Sequence, residues 1–262
     1  MTGPTLLTAL PEDVRTARID SVGVGGGGLQ RPVYTVRPAS GTRGAVTLVH
    51  HRTGIDGFVV GIARRCLDAG LAVVVPDFFH GIAPHADPEV RKSELRDDTL
   101  LSDLWQCASI TSDLADGRVP SILGFCMGGR IALLAVAAGL PYARACCFYG
   151  GAPRTPWGPG PSPIDRIGER GRTARSPLDI QFHRGTLDGH PSAADAEALT
   201  AAVEDAGGFL QLCTYAGAGH AFMDPGRADC YHPAAAARAW ASAAAFLVGV
   251  PEPVTAWTGE TT

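Results

Sequence analysis

Apolar residues along the chain fall into short unbroken runs, separated by longer stretches where they recur every three or four positions. The runs "RPVYTV" (31–36), "AVTLVH" (45–50), "LAVVVPD" (71–77), "VPSILGF" (119–125), "RACCFYG" (144–150), "LDIQFHRG" (178–185) and "FLQLCTYAG" (209–217) predict strands. The second and third are almost wholly apolar, the signature of strands buried on both faces. Helical spacing is seen over 55–70, 89–115, 126–139, 192–206 and 233–248, and Gly70 offers a C-cap to the first of these. Strands alternating with helices predict an α/β fold with a mostly parallel central sheet and helices on both faces. The segment before Arg31 predicts an edge strand joined by the Gly-rich turn "GVGGGG".

One stretch breaks this rhythm. Residues 151–176, "GAPRTPWGPGPSPIDRIGERGRTARS", are rich in Pro, Gly and Arg and show no clear period. A connection of this length inside a compact domain is uncommon and reads as a lid-like insertion or a solvated surface loop. No internal repeat or second domain is visible. The expected organisation is one domain over 1–262, with a core of about 30–248 and a loose tail at 251–262.

Composition narrows the class. The 262 residues are 45% hydrophobic and 18% charged, which fits a globular protein. A formal charge of −4 gives no footprint for nucleic acid. The first twelve residues lack the pattern of a secretory signal, and no apolar stretch approaches the ~20 residues needed to span a bilayer. Seven cysteines, none in a C-x-x-C spacing, suit a reducing cytoplasm. Five of them, Cys66, Cys107, Cys146, Cys147 and Cys213, lie in apolar segments where a thiol acts as a small hydrophobe. No ligand pair has zinc spacing, so neither metal nor cofactor is expected. The expected partner is a small molecule, and the expected assembly is a monomer or small homo-oligomer.

The candidate chemistry begins at "SILGFCMGGRIALL" (121–134), in which an apolar strand turns into an apolar helix through Gly124-Phe125-Cys126-Met127-Gly128. This is the pattern of a nucleophile elbow with cysteine at its tip. Glycines two positions to either side let strand and helix approach, and the helix N-terminus lowers the thiol's pKa. The Met127 N–H is then one oxyanion donor. Packing alone is the competing role for Cys126, and the strand before it and helix after it favour the nucleophile.

A nucleophile in this turn needs an acid and then a histidine further along the chain. Asp188 in "HRGTLDGHPS" and His220 in "YAGAGHAFMD" each follow a predicted strand, so both fall at the C-terminal edge of the sheet. His190 is the rival base, but two residues from Asp188 it is poorly placed to be oriented by it. Asp179 and Asp195, in a predicted strand and helix, are weaker rivals for the acid. His80, His85 and His232 read as loop or surface histidines.

With "LVHHRTGIDGF", "VVVPDFFHG", "GFCMGG", "RGTLD" and "GAGHAF" in this order, the chain resembles the dienelactone hydrolase family of the α/β-hydrolase fold over roughly residues 30–248. The resemblance implies a Cys126–Asp188–His220 triad and a second oxyanion donor in the backbone N–H of Arg52. It implies cleavage of a small ester or lactone through a thioester. Three positions depart from the family pattern. The glutamate that helps to activate the cysteine is replaced by His51, and the two arginines that hold a substrate carboxylate correspond to Gly81 and Asp224. His51 has two readings: it pairs with Cys126 as imidazolium and thiolate, or it contacts substrate. Two other functions stay open at this point: a cyclase, isomerase or acyl transferase on the same fold, and a non-catalytic binding module.

Overall fold

The computed structural model describes residues 14–22, 26–83, 86–171 and 178–249. Eight strands form one sheet: β1 (Arg15–Val22), β2 (Gly28–Val36), β3 (Gly44–Val49), β4 (Leu71–Pro76), β5 (Ser121–Phe125), β6 (Arg144–Phe148), β7 (Asp179–Gly185) and β8 (Phe209–Tyr215). Their spatial order is β1-β2-β4-β3-β5-β6-β7-β8. β1 pairs antiparallel with β2 and β2 antiparallel with β4, and every later pairing is parallel. The described helices are α1 (Gly57–Asp68), α2 (Pro88–Ser93), α3 (Asp97–Leu114), α4 (Met127–Ala137), α5 (Pro163–Arg170), α6 (Ala193–Asp205) and α7 (Pro233–Val248).

Successive side chains of a strand point to opposite faces, and the sheet uses this to build two cores. Leu123, Phe125, Cys146 and Phe148 pack on one side with Val59, Ile62 and Cys66 of α1 and Ala239 and Leu247 of α7. Ile122, Ala145 and Cys147 pack on the other with Leu100 and Leu104 of α3, Ile131 and Leu134 of α4, and Leu199 of α6. The mostly parallel sheet with helices on both faces is thus as the apolar runs predict.

Two helical stretches differ from the sequence expectation. The single helix expected over 89–115 is broken, because Arg96 is extended (φ −127°, ψ 138°) between α2 and α3. The break places Asp97 in the core, where its carboxylate meets both terminal nitrogens of Arg130 at 2.7 and 2.9 Å. The insertion is not wholly irregular either: it contains α5, which opens on a reciprocal capping box between Ser162 and Asp165. The insertion is anchored on Arg130, which donates to the Thr155 carbonyl (2.6 Å) and stacks on Trp157 (3.9 Å). The described arginines of the insertion have partners of their own: Arg154 approaches Asp195, Arg166 donates to the Pro161 carbonyl and Arg170 to that of Val136. Arg172 and Arg175, His85, residues 23–25 of the Gly-rich turn and the 251–262 tail lie outside the described residues. β1 is the edge strand expected ahead of Arg31, and β2 begins earlier than expected, at Gly28.

Candidate active site

Cys126 stands between β5 and α4 with φ 55° and ψ −117°. A non-glycine residue in this region costs about 1–3 kcal/mol and persists only where its surroundings hold it. The surroundings are backbone. A Cβ on Gly124 would sit 2.0 Å from the Gly128 oxygen, and one on Gly128 would sit 2.4 Å from the Val49 oxygen. One on Gly129 would sit 2.6 Å from the Phe148 oxygen, the same oxygen that accepts the Cys126 N–H at 2.9 Å. The glycines around the cysteine therefore let α4 lie against the ends of β3, β5 and β6.

The loops after β7 and β8 are stitched together by main-chain bonds. Thr186 N–H donates to the Tyr215 carbonyl and Leu187 N–H to the Ala218 carbonyl, both at 2.9 Å. Gly185 permits this contact, since a Cβ there would lie 2.0 Å from the Ala218 oxygen. The stitching brings Asp188 to His220: Oδ2 of Asp188 lies 3.0 Å from Nδ1 of His220, and Nε2 of His220 lies 3.0 Å from the Cys126 sulfur. The other oxygen of Asp188 accepts the His190 N–H at 2.8 Å. Tyr149 (φ 39°) packs edge-on against the His220 ring at 5.0 Å and against Phe222 at 5.5 Å. Nothing in the sequence pattern singles out this tyrosine beyond its place after β6.

These contacts change the titration of both Cys126 and His220. Burial alone would push the Cys126 thiol up, but the hydrogen bond and charge of His220, the Met127 N–H and the nearby Arg52 guanidinium bring it below the ordinary value. Burial opposes charging of His220, yet its bonds to Asp188 and Cys126 raise it. Both shifts favour a thiolate–imidazolium pair. By contrast, burial pushes the Cys66 thiol up to about 12 and those of Cys107 and Cys147 higher still.

Met127 opens α4, as the elbow pattern expects. Arg52 lies in the turn after β3, with its guanidinium 2.7 Å from Glu89. His51 is turned elsewhere: its Nε2 lies 2.7 Å from Oδ2 of Asp56 and 2.9 Å from the Thr53 hydroxyl, and its ring packs on Phe58. The imidazole at the Cys126 sulfur is that of His220. Asp56 also N-caps α1, and although burial would raise its carboxyl, His51, Thr53 and the Val59 N–H hold it down at about 2. The rivals have other tasks. Asp179 pairs with Arg144, Asp195 and His232 cap α6 and α7, and His190 meets Asp188 through its backbone. His80 gives its carbonyl to Arg31. Among the described residues no group of three His, Cys, Asp or Glu side chains is set to hold a metal ion. No helix there is long and apolar enough to cross a membrane.

A parallel sheet with a strained strand-to-helix turn, and an Asp and a His on loops after two later strands, defines a protein of the α/β-hydrolase fold. The profile of the dienelactone hydrolase family matches residues 32–250, and the chain belongs to that family. A Bradyrhizobium sp. protein named "probable 2-oxo-3-(5-oxofuran-2-ylidene)propanoate lactonase" is 31% identical over 88% of this chain and 94% of its own length. The carboxymethylenebutenolidase of Rhodococcus opacus is 28% identical over 76% and 77%. Among solved structures, a thermophilic esterase from Thermogutta terrifontis with bound propionate superposes with a TM-score of 0.68 over 97% of this chain and all of that one, at 16% identity.

Proposed function

We propose that this chain hydrolyses a small ester or lactone with Cys126 as nucleophile, His220 as proton carrier and Asp188 as the group that orients it. The observation that carries the reading is the continuous line from carboxylate to imidazole to sulfur, with both links at 3.0 Å. The Cys126 thiolate attacks the carbonyl carbon, forming a C–S bond and placing negative charge on the carbonyl oxygen. The N–H groups of Met127 and Arg52 receive that oxyanion, a contribution of about 3 kcal/mol per donor. The tetrahedral adduct collapses by breaking the C–O bond, and the leaving oxygen takes the proton from Nε2 of His220. The neutral imidazole then removes a proton from water as the water oxygen attacks the thioester. Loss of the thiolate releases the acid and restores the starting pair. In a lactone the leaving oxygen stays in the same molecule, so the product is one open-chain acid.

A thiolate exists near neutral pH and leaves readily from the acyl-enzyme, which suits activated esters and enol lactones better than amides. The names of the relatives agree with that substrate class. The test is turnover of an ester and lactone panel by the unsubstituted protein and by a Cys126→Ala variant, with intact-mass detection of the acyl adduct. Turnover lost in the variant, and an adduct mapped to Cys126, are expected. Equal turnover by both proteins overturns the reading.

A further inference from the structure

His50 is wholly buried at the end of β3, one residue before the turn that carries Arg52. Its ring lies between Phe78 and Phe79, with centroids 5.8 and 4.9 Å away. Both ring nitrogens are engaged, and the partners fix which one bears the proton. The Phe78 N–H donates to Nε2 at 3.1 Å, so Nε2 is the acceptor. Nδ1 therefore carries the hydrogen and donates it to the His51 carbonyl at 2.8 Å. Burial keeps this ring neutral by pulling its pKa down to about 4, against the neighbouring Asp77 charge, which opposes the shift. The same carbonyl also accepts the Gly54 N–H at 2.9 Å, in a turn that Gly54 closes with φ 91°.

The His51 carbonyl and the Arg52 N–H belong to one peptide unit. In a planar trans peptide they point in opposite directions, so fixing the carbonyl fixes the N–H. That carbonyl is held by two donors, and among the described residues the Arg52 N–H has no acceptor. The strand end that carries this peptide is in backbone contact with the elbow, since a Cβ on Gly128 would come within 2.8 Å of the His50 oxygen.

We infer that His50 is a positioning residue for the reaction: its Nδ1–H, bonded to the His51 carbonyl, keeps the Arg52 N–H turned to the oxyanion. A flip of this peptide would present a carbonyl oxygen in place of the donor and repel the developing charge. His50 touches no reacting atom. The inference rests on the hydrolase reading above and adds a residue outside the set that carries the chemistry.

The two amide substitutions separate a positioning role from a packing role. Asparagine places an amide nitrogen near Nδ1, so His50→Asn keeps the donor to the His51 carbonyl and loses the acceptor for Phe78. Glutamine reaches the Nε2 position, so His50→Gln keeps the Phe78 bond and loses the donor to His51. Each variant gives up one of two hydrogen bonds, so their melting temperatures fall alike. Ester turnover is expected to divide them: His50→Gln loses roughly 10²-fold in kcat, the scale of one oxyanion donor, while His50→Asn retains most of it. Alkylation of Cys126 by iodoacetamide develops no oxyanion and is expected to be unchanged in both. Equal losses of kcat, or a loss that follows the alkylation rate, overturn the inference.

A measurement on the unsubstituted protein covers the case in which the variants fail to fold. The ¹⁵N shifts of labelled His50 must report the Nδ1–H tautomer, neutral through the range where an ordinary imidazole (about 6.5) takes a proton. The Nε2–H tautomer, or protonation in that range, overturns the inference without reference to turnover. Absence of turnover by the unsubstituted protein counts instead against the hydrolase reading.

Discussion

Replacing Asp188 by asparagine tests the proposed proton path at its most buried point. The Asp188 side chain is only 2% exposed, and its two oxygens each accept from one donor: Nδ1 of His220 at 3.0 Å and the His190 N–H at 2.8 Å. A carboxylate can accept both, whereas an amide has one accepting oxygen and one donating NH₂. The His190 N–H belongs to the backbone and cannot change, so the amide oxygen stays with it and the NH₂ faces His220. Nδ1 of His220 must then become an acceptor, which moves the ring proton to Nε2, the atom 3.0 Å from the Cys126 sulfur. A neutral ring protonated there cannot take a proton from water. Loss of the correct tautomer in such a triad lowers kcat by on the order of 10⁴-fold, about 5 kcal/mol of transition-state stabilisation. The imidazolium also loses the carboxylate that raises its pKa, so the His220 value falls and the thiolate loses part of its support. The assay is steady-state hydrolysis of an ester that the unsubstituted protein turns over, joined to the pH profile of iodoacetamide alkylation at Cys126. The acid limb of that profile is expected to move to higher pH. A kcat within about tenfold of the unsubstituted value, with an unmoved limb, would refute the assigned role of Asp188.

In the unsubstituted protein, Cys126 is expected to alkylate with an acid limb below the ~8.5 of a free thiol, because a lowered pKa keeps the thiolate as pH falls. Cys66, Cys107 and Cys147, buried and shifted upward, are expected to stay unlabelled, and peptide mapping checks both. Asp97→Ala leaves the fully buried Arg130 guanidinium without its carboxylate and is expected to cost about 3–5 kcal/mol in urea unfolding. A loss below about 1 kcal/mol, the range of an exposed pair, would show that Thr155 and Trp157 suffice to hold the arginine. Asp56→Ala removes the N-cap of α1, a cost of about 1 kcal/mol. Because the Asp56 value is held at about 2, its charge-dependent stabilisation is complete above the ordinary 3.8 and fades as pH falls toward 2, so the gap in melting temperature to the unsubstituted protein should narrow in acid.

The parts of the fold legible in the sequence are those with local causes. Unbroken apolar runs predict the strands because both faces of the sheet are covered, and the glycines of "GFCMGG" mark the elbow because a Cβ on any of them would come within 2.0–2.6 Å of backbone atoms. Asp188 and His220 could be placed at one edge because each follows a strand in a parallel sheet. The missed features have tertiary causes. The helix break at Arg96 is tied to a buried pair between residues 33 apart in sequence, and nothing local to 89–115 reveals Arg130. α5 did leave a trace, since Ser162 with Asp165 three residues later is a capping signal, but it lies in a stretch dominated by Pro and Gly. His50 and His51 are neighbours of the same type, and their different tasks depend on which side of the strand end each ring faces.

The departure at position 51 bears on how the Cys126 thiol is charged. The family resemblance supplies a glutamate there, and a carboxylate close to a thiol opposes formation of the thiolate. Here the position holds an imidazole whose Nε2 is committed to Asp56, and the other oxygen of Asp56 is committed to the first turn of α1. A glutamate in the same place would instead face the Asp56 carboxylate, so His51 and Asp56 are matched to each other and to the scaffold. What lowers the thiol must then come from elsewhere than position 51. His220, the Met127 N–H and the Arg52 guanidinium together bring the Cys126 thiol down against its burial. The substitution at 51 therefore goes with a thiol whose lowering rests on an imidazole, a backbone N–H and a guanidinium, with no carboxylate at that position to oppose the charge.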